Sequence, residues 1–206
     1  MNSIARTKLC VLLMLPVVLA GALGAFGDAA DQSGGNAYFA GGCFWCMEEV
    51  FEKVPGVVSV TSGYMGGRVE HPTYEQVSAG GTGHAESVEV VYDPTKVSYH
   101  VLLDAFWRNV DPVTPNAQFC DHGSQYRAVI FYQGEEQQRL AEESKRAIQQ
   151  SPRLSQLVVT EVTKASQFYP AEDYHQDFYK KNPVRYKFYK FNCGRAQRLE
   201  EVWGAP

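Results

Sequence analysis

Apolar residues recur along the chain in two rhythms, and the switches between them outline the elements. The run Ala37-Tyr38-Phe39-Ala40, ending at Gly41-Gly42, predicts a short buried strand. From Cys43 the spacing turns helical, with Trp45, Val50 and Phe51 set among Glu48, Glu49 and Glu52, until Pro55-Gly56 stops it. Val57 to Tyr64 and Ser87 to Tyr92 alternate apolar and polar residues as half-buried strands do, the second closed by Asp93-Pro94. Ser98 predicts a cap ahead of Tyr99, Leu102, Leu103, Phe106 and Val110, which share one helical face. A strand over Tyr126 to Tyr132, a charged helix over Glu135 to Gln150 and a strand over Leu157 to Thr163 follow. Glu172 to Lys181 predicts a short helix, and from Asn182 the tail reads as irregular apart from a helix over Ala196 to Val202. Met65 to Gly83 and Asp111 to Gln125 are long polar loops, of a kind that tends to carry function. Strands mixed with helices predict an α/β or α+β sandwich around one sheet.

With 206 residues, 45% apolar and 20% charged, the chain suits one packed domain rather than a disordered one. A net charge of -4 gives no reason to expect nucleic acid or an anionic membrane as partner. The interleaved cations and aromatics from Tyr179 to Lys190 therefore read as a solvated tail. At the N-terminus, Arg6 and Lys8 precede the apolar stretch Leu9 to Ala20, and small residues then dominate. This pattern predicts a signal peptide over residues 1–25, a linker over 26–36 and a single catalytic domain over 37–206. The mature protein is expected to be exported, periplasmic or secreted, and free of the membrane after cleavage. A retained anchor is the alternative, since Leu9 to Phe26 is nearly long enough to span.

Of the five cysteines, Cys10 lies in the signal, leaving Cys43, Cys46, Cys120 and Cys193. Two structural disulfides in a non-catalytic binding domain are one reading of that set. A domain of this size does not need staples, however, and Cys43 and Cys46 sit in the run Gly41-Gly42-Cys43-Phe44-Trp45-Cys46. Where a strand feeds a helix through two glycines, free backbone N–H groups and the helix dipole favour an anion, so the Cys43 thiol is expected to ionise early and act as a nucleophile. A thioredoxin-like disulfide exchange site would also suit Cys-x-x-Cys. Phe44 and Trp45 argue instead for a pocket that holds an apolar group.

The ordered motifs Gly42-Cys43-Phe44-Trp45, Gly63-Tyr64-x-Gly66-Gly67, His71-Pro72-Thr73-Tyr74, Gly83-His84-Ala85-Glu86, Tyr92-Asp93-Pro94, Asp121-His122-Gly123-Ser124-Gln125-Tyr126-Arg127 and Ala171-Glu172-Asp173-Tyr174-His175-Gln176 cover Tyr38 to Asn182. In this order they resemble the A-type peptide methionine sulfoxide reductases. The resemblance implies an α+β fold: a two-layer sandwich on a mixed sheet with a ferredoxin-like core, here with a long irregular C-terminal tail. It implies Cys43 as the thiolate that attacks the sulfoxide sulfur and Glu86 as the acid that protonates the oxygen. Tyr74 and Tyr126 match the phenols that hydrogen-bond that oxygen, and Asp121 matches the residue that orients water or the substrate amide. Phe44 and Trp45 match the pocket for the S-methyl group.

Attack would leave Cys43 as a sulfenic acid, which condenses with a second thiol. Many members of the family carry Gly where Cys46 stands and recycle through a cysteine in a Gly-rich tail. Either Cys46 or Cys193 is open as the resolving residue here, with Cys193 preferred because an irregular tail can approach and withdraw. Cys120 is expected to be a packed, unpaired thiol. The partners implied are oxidised proteins, peptides or free methionine sulfoxide and a thioredoxin-type reductant, acting on a monomer. No metal and no bound cofactor are expected, because the histidines lack ligand spacing and no phosphate-binding glycine motif follows a strand.

Overall fold

The structure is a computed structural model that describes residues 35–204; the signal segment and most of the predicted linker lie outside the described residues. Strand β1 (Gly35–Gly41) feeds α1 (Phe44–Glu52), then β2 (Val57–Met65), α2 (Tyr74–Ser78), β3 (Ala85–Tyr92) and α3 (Tyr99–Trp107). A small hairpin, β4 (Ala117–Gln118) and β5 (Asp121–His122), precedes β6 (Ala128–Tyr132), α4 (Gly134–Gln149), β7 (Glu161–Lys164) and β8 (Tyr169–Pro170). Three helices close the chain: α5 (Phe178–Lys181), α6 (Pro183–Asn192) and α7 (Arg195–Trp203).

Six strands form one sheet in the order β7-β6-β1-β3-β2-β8. Only the β6–β7 pair is parallel, so the sheet is mixed. Helix α1 joins β1 to β2 across β3, and α3 joins β3 to β6 across β1; two such split βαβ units give the ferredoxin-like order of the four central strands. Period-two alternation sends Ala37, Phe39, Val88, Val90 and Ile130 to the face covered by Phe51 of α1 and Leu102, Leu103 and Phe106 of α3. The Phe39 ring sits at the centre, 4.7 Å from Phe51 and 5.4 Å from Phe106. On the other face Tyr38, Ala40, Met65, Val129 and Phe131 are covered by Ala165 and Phe168.

Several expectations change. Both polar loops carry structure: α2 is started by a capping box between Thr73 and Gln76, and β4–β5 folds within the second loop. Gly35 and Asn36 belong to β1, paired with Tyr92 and Val91, rather than to the linker. Of Glu172 to Lys181 only the last turn is helical, because Asp177 takes a left-handed conformation (φ 55°) that ends the preceding turns.

The largest correction concerns the tail, which is helical rather than irregular. Pro183 stands at the first turn of α6, where its missing N–H costs nothing. The helices are tied to the domain by directed polar contacts. Tyr186 donates its hydroxyl to Glu49 (2.6 Å), Arg195 donates to the Asn109 carbonyl (2.6 Å), Arg198 pairs with Asp111 (2.8 Å) and Trp203 donates to the Val110 carbonyl (3.1 Å). Among the described residues, no helix is long and apolar enough to cross a membrane.

Because Phe39 is fully buried between two helices and the sheet, Phe39→Ala is expected to cost about 3–5 kcal/mol of unfolding free energy. Urea unfolding followed by tryptophan fluorescence measures it, and a loss below about 1 kcal/mol would place the core elsewhere.

Candidate active site

The site begins where β1 ends. Gly42 adopts φ +81°, and a Cβ there would lie 2.5 Å from the Gln118 Cβ, so a side chain is excluded both by conformation and by space. The turn delivers Cys43 as the cap of α1, its carbonyl accepting from the amides of Cys46 (3.1 Å) and Met47 (3.4 Å). Cys43 lines a small cavity with Phe44, Trp45, Tyr74, Glu86, Asp121, Tyr126 and Tyr189. Every residue predicted to act on substrate therefore meets in one place, and Tyr189 joins them.

Glu86 points inward from β3, opposite Tyr64 of β2, and is buried. One carboxyl oxygen accepts the Phe44 amide at 3.1 Å, satisfying a free N–H of the first helical turn. Burial pushes its pKa up to about 8; the Phe44 hydrogen bond opposes the rise, and the negative charge of Asp121 adds to it. At neutral pH Glu86 thus holds a proton it can donate.

Tyr74 comes from the start of α2, whose first amide donates to Glu172 (2.9 Å); the other Glu172 oxygen takes the Tyr64 hydroxyl (2.9 Å). Tyr126 comes from the 3-10 turn Ser124–Tyr126 that leads into β6. Burial raises both phenols, which keeps them protonated and able to donate. The apolar wall is held from behind. Trp45 stacks on Phe178 at 3.7 Å, and its indole N–H donates to Nδ1 of His175 (3.1 Å). Burial lowers the His175 pKa, so the ring is neutral and its Nδ1 accepts.

The two thiols behave as a pair. Cys46 sits one turn into α1, buried with Cys43 against Phe178 and Tyr186. Burial pushes the Cys43 thiol well up, and the neighbouring Cys46 pushes the same way; the nearby Tyr189 hydroxyl acts in the opposite sense. Cys46 moves down, chiefly through the hydrogen bond from Cys43, with Arg195 and Lys190 assisting. Burial therefore opposes the early ionisation expected at Cys43 from the helix terminus. Of the two sulfurs, Cys43 is the one that lines the cavity.

The other two cysteines are joined. Cys120 and Cys193 form a disulfide across a sequence separation of 73, while Cys43 and Cys46 are free. This corrects the expectation of Cys120 as an unpaired thiol. It also removes the reason for preferring Cys193 as the resolving residue, since Cys193 caps a docked helix and is already bonded.

A sequence model of the family described as peptide methionine sulfoxide reductase matches residues 35–206. The peptide methionine sulfoxide reductase MsrA of Ligilactobacillus salivarius is 52% identical over 168 residues, covering 82% of this chain and 97% of its own. The solved methionine sulfoxide reductase A of Corynebacterium diphtheriae is 35% identical with a TM-score of 0.71, over 75% of this chain and 78% of its own. A solved structure of Mxr1 from Saccharomyces cerevisiae in complex with Trx2 shares the fold at 22% identity and a TM-score of 0.52, over 72% of this chain and 86% of its own. The chain belongs to the peptide methionine sulfoxide reductase family.

It is accordingly an oxidoreductase that reduces methionine sulfoxide by cysteine chemistry. Tyr189 is the residue of this reductase that sequence reasoning missed. It sits in the stretch of cations and aromatics read as solvated tail, and its hydroxyl donates to Oδ2 of Asp121 at 2.5 Å. The signal for it was an aromatic residue that the net polarity of its neighbours obscured. Two acidic or thiol groups have metal-like clustering among the described residues. In the first, both sulfurs are spent in the disulfide; in the second, Lys180 pairs with Glu52 and Asp177.

The Glu86 carboxyl is expected to titrate near pH 8, protonated below and ionised above. Carbon-13 labelled Glu followed by NMR reads this directly, with Glu86→Gln identifying the signal. A titration in the ordinary carboxylate range would show the site to be wetter than its packing implies.

Proposed function

We propose that Cys43 attacks the sulfoxide sulfur and Glu86 supplies the proton to the oxygen, in the reduction of the S epimer of methionine sulfoxide in peptides and proteins. Methionine sulfoxide is reversed by separate enzymes for its two sulfur epimers. The observation that carries the reading is a buried Glu86, its carboxyl pKa pushed up by burial, lining the same cavity as Cys43. As the Cys43 sulfur bonds to the substrate sulfur, the S–O oxygen gains negative charge and takes the Glu86 proton. Tyr74 and Tyr126 hydrogen-bond that oxygen, Asp121 orients the approaching water or amide, and Phe44 and Trp45 hold the S-methyl group. The protonated oxygen leaves the substrate sulfur as water. A second water then attacks the Cys43 sulfur, the bond between the two sulfurs breaks with its electron pair going to methionine, and Cys43 is left as sulfenic acid after loss of a proton.

Cys46 is the resolving thiol in this reading. Its thiolate attacks the Cys43 sulfur, the bound oxygen departs as water, and a Cys43–Cys46 disulfide results. A thioredoxin-type dithiol then returns two electrons and two protons, as the solved Mxr1–Trx2 complex suggests by its partner. The chain acts as an exported monomer, periplasmic or secreted, after loss of its N-terminal apolar segment.

Cys43→Ser is expected to form no methionine. Cys46→Ser forms one methionine per enzyme and stops, whereas Cys193→Ser keeps cycling with thioredoxin. A Cys46→Ser enzyme that continues to cycle would remove Cys46 from the resolving role. The rate with the wild-type protein is expected to fall on the alkaline side near pH 8 as Glu86 loses its proton, and Glu86→Gln lowers it by about 10²–10⁴-fold.

A further inference from the structure

Asp121 and Tyr189 face the cavity from segments far apart in sequence, and two connections join them. The first is direct, from the Tyr189 hydroxyl to Asp121 Oδ2 at 2.5 Å. The second is covalent: Cys120, immediately before Asp121, is bonded to Cys193, one helical turn after Tyr189. Cys193 donates its amide to the Tyr189 carbonyl (2.9 Å), and the Cys120 amide points at the Cys193 sulfur (3.2 Å). Residues leading into this corner are held in left-handed backbone, Asn116 at φ 50° and Phe119 at φ 58°, a conformation that persists only when its surroundings impose it. The Arg195 guanidinium lies 4.3 Å over the Phe119 ring, and Tyr189 meets Trp45 edge-on at 5.9 Å. Cys120 is exposed, so a dithiol can reach the disulfide.

We propose that the Cys120–Cys193 disulfide is a latch that holds Tyr189, as a positioning residue, against Asp121 over the Cys43 cavity, and that opening the latch slows sulfoxide reduction. The inference rests on the cavity being the sulfoxide site. Opening consumes a dithiol: two electrons and two protons pass to Cys120 and Cys193, which become thiols, and the dithiol becomes a disulfide. A freed α6 terminus lets Tyr189 leave Asp121, and the carboxylate loses the donor that fixes its direction. The enzyme is then fastest when its surroundings are oxidising, the condition under which its substrate forms.

The test is the first turnover, which precedes any need for a resolving thiol. Purified protein with the disulfide intact and Cys43 reduced, verified by thiol counting, is mixed rapidly with N-acetylmethionine sulfoxide, and methionine product is quantified across a pH series. The same is done after dithiol opening of the latch, and for Tyr189→Phe, Cys193→Ser and the double variant. Latch opening, Cys193→Ser and Tyr189→Phe are each expected to lower the first-turnover rate about tenfold, the size of one lost hydrogen bond to a charged group. The double variant is expected to be no slower than Tyr189→Phe alone, because both changes remove one connection. Equal rates with the latch closed and open overturn the proposal, as does a Tyr189→Phe enzyme that dithiol slows as much as wild type. A Cys193→Ser enzyme with a normal first turnover and only slower cycling assigns Cys193 to electron relay and also overturns it. If Cys193→Ser does not fold, the wild-type comparison and Tyr189→Phe decide. Failure of the latch-closed wild type to form any methionine would instead strike the reading of the cavity itself.

Discussion

A buried carboxyl bonded to a backbone amide, Glu86 to Phe44, is the constraint around which the site is built. Glu86 belongs to the central strand β3, and Phe44 is the first residue of the helix that β1 delivers. The bond therefore exists only because β1 and β3 are adjacent and in fixed register, with Phe39 opposite Val88. A slip of one residue would turn Glu86 to the other face and leave the helix amide without a partner. The amide favours an ionised carboxyl and desolvation favours a neutral one. Desolvation wins: burial is the largest influence on the carboxyl and outweighs the Phe44 hydrogen bond.

The same competition governs the thiols. A helix terminus lowers a thiol pKa when the sulfur remains solvated, but here the C-terminal helices cover the pair with Tyr186, Phe178 and Tyr189. Burial and the closeness of Cys46 both push the Cys43 thiol up. Shielding of this kind makes the docked tail part of the active site. Its attachments are polar and directional, onto Glu49, Asn109, Asp111 and Asp121, and one is covalent.

The central elements were readable because their burial follows a single period. Phe39, Val88 and Ile130 alternate with outward residues, and Leu102, Leu103 and Phe106 recur at helical spacing under the cap of Ser98. Helix α6 was not readable for the opposite reason. Val184, Phe188 and Phe191 are apolar yet exposed, so no one-sided pattern marks the helix, and its inward polar contacts are made by the Tyr186 and Tyr189 hydroxyls and Lys190 instead. Helix α2 and the β4–β5 hairpin are too short to show a period at all and depend on local capping and turn chemistry.

By itself the sequence determined the sandwich of strands and helices, the strand–Gly–Gly–Cys–helix turn, and the set of side chains with the chemistry for sulfoxide reduction. The first two are local properties, written in spacing and residue type; the third was read from the resemblance of the ordered motifs to a known family. Tertiary structure decided which pair is bonded and that Tyr189 closes the cavity. Those are distances between segments remote along the chain, set by how the last helices dock. Spacing carries no record of such distances until the sheet and its covering helices bring the segments together.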